Sequence, residues 1–367
     1  ASYFISYSLM QLPVGLILDR CSVRVMLSIA ILTCALGSYT FTLATTPLML
    51  AAARLLMGLG SAFAFVSVLT IAHYWFSGRL FALLVGLAQL LAAFGAWAGE
   101  YPLKSFLLHQ HDWRSGMLLL AKIGIVLGLF AILLVRHKRP PEATKPSSVK
   151  NSLKTIFSNP QTFWIALYAF CAWSPIIIFA EQWGIPFISK RFHFTTQGAA
   201  DFAGAVWLGL ALLSPLLGYL SNRIQRRCNL MQMCSLIGLI AILSLLLLPA
   251  NLHPIFIFIS LLGIGIAAAG QILSFALVRD INPSNITATA IAFNNLAVVI
   301  GGLLLHPLVG YFLRWVSNQQ NLQPHNYTAQ DYALVFLFIP LFYGIGFLVS
   351  RYKIKETYCK NSHDNLS

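Results

Sequence analysis

Charge is what this chain has least of. Of its 367 residues, 9% are Asp, Glu, Lys or Arg, against 58% that are hydrophobic. A soluble domain carries about 25% charged residues. A chain this poor in charge cannot cover itself in water, which excludes the ordinary soluble classes and points to a bilayer as its solvent. Acidic residues are the scarcest, 10 against 24 basic ones, for a net charge of +14. The basic excess does not read as a nucleic-acid surface, because the charges sit in short loops between apolar runs. Polar–apolar alternation is missing too. The apolar segments are continuous, which argues for spanning helices of about 20 residues and against a spanning β-barrel.

Catalytic signatures are equally absent. The six cysteines (Cys21, Cys34, Cys171, Cys228, Cys234 and Cys359) form no CxxC pair, and most lie in or beside apolar segments. They read as packing residues, not metal ligands or a disulfide frame. The histidines show no HExxH spacing, and no GxxxxGK[ST] loop exists to cradle ATP. With no nucleophile elbow either, no enzyme, metal or cofactor is expected. The chain opens on Ala1 inside an apolar run, with no signal-peptide n-region or cleavage site before it.

What the chain has is eleven apolar spans, near 2–18, 25–45, 48–76, 80–103, 115–135, 162–188, 200–220, 229–250, 254–278, 287–313 and 331–350. A basic, proline-bearing stretch at 136–158 separates residues 1–135, with five spans, from 159–351, with six. Residues 352–367 form a polar tail. Of the 24 basic residues, Lys104, Arg114, Lys190, Arg191 and Arg314 lie in one set of loops, and Arg54 and Lys122 lie inside spans. The remaining 17 lie in the opposite loops, in the linker and in the tail. The positive-inside rule puts those loops, the linker and the C-terminus in the cytoplasm.

A short motif occurs twice. Gly15, Asp19, Arg20 and Arg24 map onto Gly218, Asn222, Arg223 and Arg227 at one offset of 203. Each copy ends one span and precedes another. Aligning the copies equates the first span with the seventh, so twelve spans are implied, with the opening one missing. Repeated halves are a feature of secondary transporters.

At this point the chain resembles the major facilitator superfamily. Gln11-Leu-Pro13-Val-Gly15 through Arg24 resembles the family's signature loop between its second and third helices. Arg54-Leu-Leu-Met-Gly58-Leu-Gly60 resembles the fourth-helix motif. Gly95-Ala-Trp97-Ala-Gly99-Glu100-Tyr-Pro102 resembles the fifth-helix glycine–proline pattern, and Asp112-Trp113-Arg114 the outer-loop pair before the sixth helix. Gln182-Trp183-Gly184-Ile-Pro186 resembles a seventh-helix pattern in carriers of organic anions and small peptides. The nearest branch resembles bacterial relatives of the lysosomal dipeptide carrier. The second signature copy departs from the family pattern, with Asn222 where aspartate is usual. The resemblance implies an all-α integral membrane protein of two pseudo-symmetric bundles. It would be a multi-pass, monomeric carrier in a bacterial inner membrane, working by alternating access.

Asp19 can accept helix N-terminal amides and pair with arginine, so each motif copy reads as a latch on one access state. The plainer reading is positive-inside charge with a capping aspartate. A charge inside a span costs about 2.5–3.5 kcal/mol and needs a partner or water. Arg54, Lys122 and Glu181 all sit about 10 Å below the outer surface by helix rise. Together they suit a site for a small anionic or zwitterionic solute and a proton, or else they snorkel or pair structurally. Glu100 reads as a proton site or as a residue of the mouth. Gly58, Gly60, Gly95, Gly99, Pro102, Gly301, Gly302 and Pro307 read as packing and hinge positions. Asp201 reads as a helix-dipole residue. Two further possibilities stay open, a drug or metabolite exporter and a relative that no longer transports.

Overall fold

The computed structural model describes residues 2–100, 112–136, 148–249, 251, 253–319 and 327–360, without the side chains of Arg79, Glu100, Asn318 and Gln319. Every regular element among them is helical. Local chemistry sets the starts. Thr46 accepts from the amide of Met49 and Pro47 opens α3 (Pro47–Trp75). Asn159 and Pro160 do the same for α7 (Pro160–Phe192). Asp112 caps α5 (Trp113–Leu134), and Thr195 caps α8 (Thr196–Ile224). These side chains satisfy amides that a helix start leaves without partners. Gln225 closes α8 in the left-handed conformation, with φ of 55°.

The other helices are α1 (Ser2–Leu18), α2 (Val23–Leu43), α4 (Gly78–Glu100), α6 (Val149–Ser158), α9 (Arg227–Leu247), α10 (Pro254–Asp280), α11 (Thr287–Gln319) and α12 (Ala329–Tyr352). Ten are long and apolar enough to cross a membrane, and α1 is a shorter apolar helix. All eleven expected spans therefore appear as helices, with ends displaced by a few residues. The short α6 falls inside the stretch read as a linker. Its Ser152 and Ile156 are buried while Val149 and Phe157 are exposed.

Three helices change form within the bilayer-length stretch. After Pro175, α7 widens into a π-helical segment, Ile176–Trp183. Proline removes an amide donor, and π turns gather at functional sites. α10 breaks between Ala269 and Ile272, and α12 at Leu337.

The helices form two groups. α2 packs on α3 and α5, and α1 on α3; in the second group α8 packs on α10, α9 on α10 and α12, and α7 on α11 and α12. Two seams join them, α1 along α11 and α4 along α8. Leucine, isoleucine and phenylalanine side chains of α5, including Ile125, Leu129, Phe130 and Leu133, point outward, which suits lipid contact.

Candidate functional site

The two motif copies end α1 and α8 on one face of the molecule, here the motif face. The carboxylate of Asp19 reaches the start of α11. It accepts from the amides of Ala288 and Thr289, each at 2.9 Å, and from the Thr289 hydroxyl. These are the orphan donors of a helix N-terminus, where a negative charge is favoured. Gly15 makes the approach possible: a Cβ there would lie 2.6 Å from the Cβ of Ala292 and the Cα of Thr289. Arg20 turns back to the carbonyl of Leu16 at 2.6 Å. Arg24 is half-buried and Arg223 exposed.

The second copy works through different partners. Gly218 packs on the start of α4, where a Cβ would lie 2.4 Å from the carbonyl oxygen of Ala82. Arg227 is fully buried and ion-paired with Asp280, at the end of α10. Asp280 also accepts from Thr357 at 2.9 Å and faces Arg279 at 3.5 Å. Arg279 then crosses to the first group. Its Nε donates to Nδ1 of His73 at 3.1 Å, and its guanidinium lies over the ring of Phe81. Asp280, Arg279 and His73 were not singled out in the sequence. Nothing local marks them, since the pairing spans 206 residues for Arg279 and His73.

Above the motif face the seams hold neutral amides. Asn295 on α11 donates to Gln11 on α1 at 2.9 Å, and Gln11 reaches the carbonyl of Ala62 at 3.4 Å. Gln271, in the break of α10, donates to Gln89 on α4 at 3.1 Å. Asn294 donates to Ser274 at 2.8 Å. The oxygens of Asn294 and Gln271 are buried with no partner among the described residues. An unpaired buried acceptor costs about 1–3 kcal/mol, so these are places where water or solute gains most. These residues carry no charge, and an amide inside an apolar span is the signal that marks them in the sequence.

Toward the opposite, far face lie Arg54 and Glu181. Arg54 is exposed on α3 and stands over the ring of Phe41 at 5.1 Å. Glu181 lies in the π segment, with its Oε2 at 3.5 Å from Nε2 of His306 on α11. The far end of α1 touches both neighbourhoods, with Tyr3 against Gly58 of α3 and Phe4 against the ring of His306. Lys122 does not join them by any ion pair among the described residues. It is exposed on α5. The Glu100 side chain and Pro102 lie outside the described residues. Asp201 accepts from Gln197 at 3.0 Å near the start of α8.

The expected glycine contacts divide. Gly58 sits against Tyr3 and Ser6, Gly60 against Ala30 and Cys34, Gly301 against Ile177, and Gly302 against Phe4. Pro307 lies within α11. Gly95 and Gly99 do not fit the packing expectation, since a Cβ on either would meet nothing within 4 Å. Both lie on an exposed side of α4. On another side of that helix, α4 and α8 part toward the far face and leave a groove of about 640 Å³, lined by Leu90, Phe94, Trp97, Trp207, Leu208 and Phe258 among others.

A sequence model of the Major Facilitator Superfamily matches residues 1–306. The chain belongs to that superfamily. It is therefore a membrane transporter, not an enzyme. Within the Major Facilitator Superfamily it is 26% identical to the uncharacterized transporter YybO of Bacillus subtilis (strain 168), over 84% of this chain and 76% of that one. Two solved structures share its fold. One is a single-substitution variant of the E. coli fucose:proton symporter FucP, with TM-score 0.72 and 15% identity, covering 96% of this chain and 89% of the other. The second is FucP in the outward conformation, with TM-score 0.73 and 14% identity, covering 96% and 88%.

Proposed function

We propose that this transporter carries a small anionic or zwitterionic solute, such as an organic anion, amino acid or small peptide, in company with protons. The observation that carries the reading is the placing of Arg54 and Glu181. They are opposite charges on helices of the two groups and both lie toward the far face, Arg54 on α3 over the ring of Phe41 and Glu181 in the π segment of α7 beside His306. A guanidinium is the side chain best shaped for a carboxylate, and a carboxylate can receive either an amine or a proton. The amides of Gln11, Asn295, Gln89 and Gln271 continue a polar path inward. The motif face is the cytoplasmic one, as the basic loops argue, with the linker and C-terminus on that side. The Asp19 latch then holds the cytoplasmic end closed while the far end admits solute. The protein works as a monomer in a bacterial inner membrane.

A second reading, export of lipophilic compounds, draws support from the aromatic groove between α4 and α8. One experiment separates the two. The purified protein is heated with dipeptides, amino acids, organic acids, sugar phosphates and lipophilic cations, each in excess. A ligand at 100 times its Kd stabilises by about 2.7 kcal/mol. The expected hit is a carboxylate, lost in Arg54→Ala and weakened in Glu181→Gln. A hit from lipophilic cations alone replaces this reading with the exporter. Silence from well-folded protein replaces both with a relative that does not transport.

A further inference from the structure

His306 was not among the sequence candidates, yet it stands at the junction of the moving parts. Its Nε2 lies 3.1 Å from the carbonyl oxygen of Ile177, at the start of the π segment, and 3.5 Å from Oε2 of Glu181, near its end. Its ring meets Phe4 of α1 edge to face, with centroids 5.5 Å apart. One imidazole thus ties α11 to the irregular turn of α7 and abuts the other helix group. Both neighbours of Nε2 are acceptors. That nitrogen must therefore carry a proton, and any further titration of the ring takes place at Nδ1.

We propose that Glu181 and His306 together form the proton-coupling pair of the transport cycle. The inference deepens the proton-coupled reading above and rests on it. Charge balance gives the mechanism. With the site empty, Arg54 and an ionised Glu181 cancel, and the far end can close without a proton. A monoanion on Arg54 leaves one negative charge in excess, which is costly to enclose away from water. One proton taken from the far face removes that excess, resting on the Glu181 carboxylate while His306 beside it sets how tightly it is held. The same proton leaves when the motif face opens. Coupling is then one proton per monoanion. A zwitterion whose amine meets Glu181 needs none at this pair.

Among the described residues few other groups can take this role at the site. α1 presents Tyr3 and Tyr7, which are stacked on one another, and α3 presents Arg54. α11 offers Tyr311 and Arg314 only further along toward the far face. On α12, Asp331 is held in a capping box with Thr328, and Tyr332 packs on Trp183 and Tyr327.

The test is infrared difference spectroscopy on the full chain in lipid vesicles, stepped from about pH 8 to about pH 5 with no solute present. The expected result is a protonated-carboxyl band that Glu181→Gln removes. In His306→Gln an amide N–H still faces Ile177 and Glu181, but the side chain cannot take a proton. There the midpoint of the Glu181 band should move by about one pH unit or more, a tenfold change in proton affinity. His306→Asn serves as a second variant if the first folds poorly. A Glu181→Gln spectrum identical to the parent, or a midpoint indifferent to both His306 variants, overturns the pair. Because no solute is added, failure here concerns the pair itself, whereas silence in the ligand panel concerns the transport reading.

Discussion

Asp19 shows how one side chain can bias a transport cycle. Its carboxylate is buried against the start of α11, and burial pushes it up to about 6, against the pull of hydrogen bonds from Thr289 and Ala288. In a state where the latch parts, the same carboxyl meets water and titrates near about 4. The state with the higher value takes the proton first. The latched state therefore gains relative to the open one as pH falls from about 6 to about 4, and loses that gain as pH rises through about 6. A protonated carboxyl can turn its hydroxyl toward Thr289 Oγ1, so the contact survives protonation. Asparagine imitates the protonated form only in part, because its Nδ2 can donate to Thr289 Oγ1 but cannot accept from the Thr289 amide. Asp19→Asn should weaken the latch by about 1–3 kcal/mol, the cost of unpaired donors. Hydrogen exchange at residues 287–292 checks both statements. Exchange should quicken in the variant, and in the parent it should slow on acidification once the intrinsic pH dependence is removed. Equal protection in parent and variant would remove Asp19 from the gate.

At the scale of helices, glycine decides how closely the two groups meet. Gly15 and Gly218 occupy equivalent places in the repeat, and each leaves no room for a Cβ against a neighbouring backbone. Gly95 faces open space. Alanine at position 15 or 218 should cost about 1–3 kcal/mol by overpacking. Alanine at 95 should be neutral or stabilising by up to about 1 kcal/mol, through helix propensity. Thermal unfolding in detergent ranks the three, and a loss at 95 equal to that at 218 would contradict the open space at Gly95. This contrast also shows what sequence can and cannot carry. Eleven spans were legible because the bilayer imposes length and apolarity on every one of them. The motif was legible because duplication repeats it at a fixed offset. The partners were not: Thr289 lies 270 residues from Asp19, and nothing near either residue announces the other. Small-xxx-small spacing reads the same at Gly95 and Gly99 whether or not a helix lies opposite. Pro175 stands immediately before the interruption of α7, and a proline inside an apolar span is a sign of such a break that sequence can carry. Within the π turn the Gly184 amide donates to the Phe179 carbonyl five residues back, and the contact that reaches the turn from elsewhere is His306 of α11 against the Ile177 carbonyl. Gln89, Gln271 and Asn294 carry no charge, so they stand out less from an apolar span than Arg54 or Glu181 do.

For the whole molecule the two seams are unequal. The α1–α11 seam is packed at both ends, from Gly302 against Phe4 to Gly15 against Thr289. The α4–α8 seam is packed at the motif face, where Gly218 meets Ala82 and Gly86 meets Ser214, and is open beyond it. If the groups rock as units about the amide layer, closing the far end must loosen the motif face. Spin labels test this directly. One pair sits at Phe94 and Leu208, both exposed beside the groove, and another at Leu80 and Tyr219, exposed near the motif face. Carboxylate solute at about pH 7, where protonation of Asp19 adds nothing to the latch, should shorten the first distance and lengthen the second, with Asp19→Asn favouring the same change. Opposite signs at the two ends require rotation about a point between them. Movement of the same sign at both ends, or at the far end alone, would mean that a local gate in the broken helices α7 and α10 admits the solute, with the latch acting as a fixed hinge.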